Sequence, residues 1–141
     1  MTARGKARKR ALDVLYSAEV RGVSPLDVLA ERPIGQGSAN TEPSANPYVR
    51  VLVEGVVDHQ ARIDELIGTY SAGWALDRMP AVDRNLLRIA VFELLWQQDV
   101  PGAVVIDEAV NLARDLSTDE SPAFVNGLLA RILDLRPRLA V

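Results

Sequence analysis

Arg4, Lys6, Arg8, Lys9 and Arg10 put five cations and no acid into the first ten residues of a chain whose net charge is −3. The remainder is therefore markedly acidic. Clustered lysine and arginine neutralise phosphates and release their counterions. An acidic body with one basic end is suited to holding a polyanion at a single place, and nucleic acid is the first candidate. The competing reading is a solvated tail that aids solubility. Acid–base chemistry has far less to work with. His59, the one histidine, sits between Asp58 and Gln60 and reads as an exposed or partly satisfied side chain rather than a general base. Asp107 and Glu108 adjoin, but neighbouring helix positions diverge by about 100°, which favours two solvated charges over an acid pair. Asp115, Asp119 and Glu120 lack calcium-loop spacing and suit the positive N-terminus of a following helix. Glu93 stands among Val91, Phe92, Leu94 and Leu95 and reads as a partly buried carboxylate that pairs with an arginine or caps a helix. Asp83, Arg84 and Arg88 fall within a turn and a half of helix. They form either a local Asp–Arg network or a charged patch that orients a protein partner. No glycine-rich phosphate loop, dinucleotide fingerprint or His-x-x-His pattern occurs. No catalytic residue, metal site or cofactor is expected.

Composition narrows the class further. The chain has no cysteine, which excludes disulfides, thiol nucleophiles and cysteine-ligated metals. No apolar run reaches the roughly 20 residues that span a bilayer. The basic start has no apolar stretch behind it, unlike a secretory signal. These features predict a cytoplasmic protein with no membrane partner. Aromatic residues make up 5% of the chain, which leaves little material for an extended base-stacking platform.

The elements that must position these side chains read as helices throughout, with no two-residue alternation bounded by hairpin turns. A first helix is predicted from about Lys6 to Val20. Ala7, Ala11, Val14, Leu15 and Ala18 form its core stripe, with Lys6, Lys9 and Arg10 directed away and Arg8 at the flank. Cations at a helix N-terminus oppose the macrodipole, which hints at a role other than stability. Gly22 ends this helix, and Ser24–Pro25 starts a short one to about Arg32. Residues 33–46 read as an exposed loop. Asn46–Pro47 opens a long helix to about Tyr70, with Val51, Val53, Val56, Ile63, Leu66 and Ile67 as core candidates. A connector, Ser71 to Met79, leads to an almost wholly apolar helix opened by Pro80, which belongs at the centre of the fold. Two more helices follow, from about Ala103 to Leu116 and from Ser121–Pro122 to about Leu133. The fold class expected is all-α, with six to seven helices in two packed three-helix bundles. Residues 1–141 form one domain, with about 4–70 in the first bundle and about 80–135 in the second.

Three segments, ARKRALDVLYSAEVRG, PAVDRNLLRIAVFELL and VVIDEAVNLARDLSTDESPAFVNGLLARI, resemble in order and spacing the NusB transcription antitermination factors. The likeness runs from about Arg4 to Leu135 and is most specific in SPAFVNGL and the upstream DEAVNLA. It implies two three-helix bundles without enzymatic activity. It also implies binding to boxA-type single-stranded RNA together with the ribosomal protein NusE, in an assembly with other Nus factors and RNA polymerase on ribosomal RNA operons. Carried over by position, it makes Lys6 and Arg8 RNA contacts, with Arg4, Lys9 and Arg10 as helpers. Tyr16 either stacks on a base or packs between the bundles, with packing slightly favoured. Phe124 and Asn126 become a second RNA-facing element. Asp83 becomes the acid turned toward the ribosomal protein, with Tyr70, Asp77 and Arg84 as weaker candidates on that surface. A homodimer is compatible with this reading. Two other functions compete. The same module resembles the N-terminal domain of RNA cytosine methyltransferases, whose catalytic domain needs a cysteine this chain lacks. A helical protein-interaction domain with an incidental basic tail is the third.

Overall fold

The computed structural model describes residues 2–31 and 46–139. The loop expected over 33–46 lies outside them except for Asn46. Six α-helices run in order: α1 Ala3–Arg21, α2 Pro25–Ala30, α3 Pro47–Tyr70, α4 Ala81–Trp96, α5 Gly102–Leu116 and α6 Ser121–Leu135. Short 3₁₀ turns occupy Leu76–Arg78 and Arg136–Arg138. No strand occurs among the described residues.

Local chemistry sets the helix ends. Thr2 Oγ1 accepts the Gly5 N–H at 2.9 Å, so α1 starts three residues before Lys6, where the apolar stripe alone would begin it. Gly22 stops α1 in the left-handed region at φ 69°, where an L side chain is strained. Ser24 caps α2 and Asn46 caps α3, each followed by proline at the first helical position, which has no N–H to leave unpaired.

α1, α2 and α3 pack on one another, as do α4, α5 and α6, and α4 also lies against α1 and α3. The buried apolar residues form one continuous core. Asp83 and every residue from Asn85 to Leu95 except Arg88 are buried on α4, as an almost fully apolar helix requires. On α1 the small side chains of Ala7, Ala11 and Ala18 are all buried. A Cβ on Gly55 would lie 2.1 Å from the Phe92 ring, so α3 and α4 meet there backbone to ring. Val51 is exposed, which corrects its assignment to the core. It lies one position off the buried pair Leu52 and Val53.

Candidate nucleic-acid interface

Helix α1 divides its cations between two environments. Lys6 and Lys9 are exposed and form no salt bridge among the described residues. They lie on one solvent-facing stripe with Asp13, Tyr16 and Val20, at the three- and four-residue spacing of a helix face. Arg10 is half-buried, and its Nε is a buried donor without a partner. Arg4 sits 4.4 Å above the Tyr48 ring centroid and 3.6 Å from Asp99.

Arg8 points the other way. It is 3% exposed. Its Nε donates to Glu93 Oε1 at 2.8 Å, and its Nη2 to Oε2 at 3.0 Å. Tyr48 OH donates to the same Oε2 at 2.6 Å, and Glu108 lies 3.6 Å from Arg8 Nη1. Burial opposes the charge on Arg8, but the hydrogen bonds and charge of Glu93 outweigh it and hold the guanidinium above its ordinary pKa. Burial and the bond to Glu93 raise the Tyr48 phenol well above its usual range. The expectation that Arg8 reaches RNA is therefore corrected: its side chain is buried and forked onto Glu93. Glu93 pairs with an arginine, as its apolar neighbours suggest. Tyr48 was not singled out from the sequence, since nothing in the Asn46–Pro47–Tyr48 cap signal marks its hydroxyl as a buried donor.

At the opposite end of α4, Asp83 is fully buried. Ser117 Oγ donates to one carboxylate oxygen at 2.6 Å and Ser121 Oγ to the other at 2.7 Å. Asp83 thus ties α4 to the α5–α6 junction, which corrects its assignment to a partner-facing surface. The arginines beside it do not pair with it. Arg84 bonds Glu19 on α1 and donates to the carbonyls of Leu76 and Met79. Arg88 holds Asp64 on α3 through two bonds of 2.8 and 3.0 Å. Glu19, Leu76, Asp77, Arg84 and Arg88 line a shallow depression of about 430 Å³. The hydrogen bond from Arg84 lowers the Glu19 pKa.

The remaining candidates cluster around α6. Phe124 meets Trp74 edge-on at 4.6 Å. Tyr70 lies under Arg131, whose guanidinium is 5.7 Å from the ring centroid. Asn126 is exposed and lines a groove of about 520 Å³ with Arg114, Thr118 and Asp119. Tyr16 is 43% exposed, so packing between the helix groups is not its role. His59 stacks on Trp96 at 4.1 Å.

The structure brings Arg4, Lys6, Lys9 and Arg10 together but sets Phe124 apart from them. α1 runs antiparallel to α4, with Arg8 beside Glu93 and Glu19 beside Arg84. The ten helical steps from Asp83 to Glu93 rise roughly 15 Å, and α6 begins at the Asp83 end.

Comparison with known proteins bears on the whole chain. A family model described as the NusB family matches residues 5–134. The transcription antitermination protein NusB of Nocardioides sp. strain JS614 is 59% identical over 99% of this chain and all of its own length. That of Kineococcus radiotolerans is 56% identical over 99% of both. Among solved structures, T. maritima NusB superposes with a TM-score of 0.83 at 34% identity, covering 95% of this chain and 92% of that one. A crystal structure of the antitermination factors NusB and NusE with double-stranded RNA gives 0.76 at 30% identity, over 95% and 98% of the two chains. With its helix order, its buried α4 and its basic first helix accounted for, the chain belongs to the NusB family.

Proposed function

We propose that this protein is an antitermination factor without catalytic activity that binds boxA-type single-stranded RNA jointly with NusE and sustains transcription of ribosomal RNA operons. Lys6 and Lys9 are its main phosphate contacts, with Arg10 and Arg4 beside them. Tyr16 lies further along the same stripe, where an exposed ring stacks on a base. Phe124 and Asn126 contact RNA at the far end of α4. NusE takes the surface around Asp77, Arg84 and Tyr70, with other Nus factors and RNA polymerase joining in the cytoplasmic assembly. The observation that carries this reading is the pair of exposed, unbridged lysines at the start of α1. The crystal structure of NusB and NusE of a relative with double-stranded RNA supports the part of it that joins NusE and RNA.

The test is a fluorescence titration of a short boxA RNA, with and without NusE, across a range of salt concentrations. Lys6→Ala with Lys9→Ala removes two phosphate contacts and makes the log–log salt dependence shallower by about 1.4. NusE should tighten binding. Unchanged affinity and slope in the double variant would leave a helical protein-interaction domain with an incidental basic end. A duplex of the same sequence is the control for strand preference.

A further inference from the structure

The first two turns of α1 work against themselves. Arg4 and Lys6 stand in the first turn, at the positive end of the helix and with no acid beside them, and Lys9 and Arg10 follow in the second. An exposed cation in the first turn opposes the macrodipole, and like charges three and four residues apart add to the repulsion. The segment is nonetheless helical from Ala3. Its contacts with the rest of the protein converge on one place. Asn46 Nδ2 donates to the Ala3 carbonyl at 3.1 Å. Arg4 lies on the Tyr48 ring. Arg8 forks onto Glu93, which also accepts the Tyr48 hydroxyl. Glu93 is 1% exposed and lies against the buried side of the turn, on Arg8.

We infer that Glu93 is a positioning residue for RNA recognition: by seating Arg8, with Tyr48 as its second donor, it fixes the register and tilt at which Lys6 and Lys9 meet the phosphates. A bidentate fork has one seat. Sliding α1 by one turn would move Arg8 about 5.4 Å from the carboxylate, and a tilt would break one of the two bonds. A hydrophobic contact at the same place would hold the helix down without fixing its angle. This inference rests on the reading that the lysines of α1 bind RNA.

The test separates positioning from mere stability. Removing one partner of a buried ion pair leaves an uncompensated charge, whereas replacing both with apolar residues of similar volume is often neutral. The pair Arg8→Met with Glu93→Leu, made in a Tyr48→Phe background so that the hydroxyl that donates to Glu93 is not left unpaired, should therefore fold, with an unchanged helical spectrum and a similar Tm. It should bind boxA RNA roughly ten-fold more weakly, with a shallower salt dependence because fewer phosphates are neutralised. Amide exchange over residues 4–10 should quicken. Tyr48→Phe keeps Arg8, Glu93 and the ring under Arg4, and should reproduce the same changes in smaller degree. A folded triple variant that binds RNA like the wild type overturns the inference. Weaker binding with unaltered exchange over 4–10 also overturns it, because Arg8 would then be touching RNA itself. If the triple variant does not fold, Tyr48→Phe decides alone: unchanged exchange and affinity reject the inference. Lys6→Ala with Lys9→Ala tells the two failures apart, since only loss of its effect undermines the RNA reading itself.

Discussion

Replacing Asp83, which is fully buried, with alanine removes the acceptor of the Ser117 and Ser121 hydroxyls and leaves them only each other and Thr118. The expected cost is about 1–3 kcal/mol, read as a lower urea midpoint with an unchanged m-value. A midpoint equal to the wild type's would show that this network contributes nothing. Glu19 makes a different prediction. Arg84 lowers its pKa below the ordinary 4.5, so the folded state favours the carboxylate more than the unfolded chain does. The stabilisation is fully present above that ordinary value and is lost as pH falls through the lowered one. Wild type should therefore exceed Glu19→Gln in stability by a constant margin above about pH 5, and the margin should close as the medium is acidified below 4.5. At this scale the sequence is partly legible. The outward direction of Lys6 and Lys9 follows from the alanine stripe opposite them. The burial of Arg8 does not, because its partner lies 85 residues away and helical periodicity says nothing about which distant carboxylate reaches a flanking position.

Helices announce their ends more clearly than their neighbours. The proline-led starts of α2 and α3 and the glycine stop of α1 are set by backbone chemistry within a few residues, so they can be read directly. The early start of α1 depends on Thr2 and on a stretch that periodicity leaves unmarked. Thr2→Ala should cost about 1 kcal/mol and quicken amide exchange at Gly5, whose N–H it caps. Unaltered exchange would mean that contacts with α3 alone hold the first turn. The α3–α4 crossing is more demanding. Gly55→Ala drives a methyl into the Phe92 ring, an overpacking worth about 1–3 kcal/mol. Thermal melts should show the loss, and adding Phe92→Leu should recover part of it. Equal losses with and without the second change would move the strain elsewhere. Gly55 carries no sequence mark of this role, because a glycine inside a helical pattern looks alike whether it faces solvent or a ring.

Across the whole molecule, α4 is the shared member of the core and separates two surfaces. The basic turn of α1 stands near its C-terminal end. Asp77, Arg84 and the depression beside them stand near its N-terminal end. The all-helical class and the central place of α4 were legible because a helix apolar nearly all round has to be enclosed. The route of its charged residues was not: Arg84 and Arg88 look like partners for the adjacent Asp83, yet they reach across to α1 and α3. That routing has a consequence for how the molecule assembles. α1 carries arginine near its beginning and glutamate near its end, and α4 does the same in Arg84 and Glu93. Laid head to tail, each cation finds an acid at both extremities. Were α1 to settle facing the other way, Arg8 would confront Arg84 and Glu19 would confront Glu93, so both termini of the misdocked pair would repel. Two ion pairs thus favour the observed polarity of α1 on α4 over the backward one.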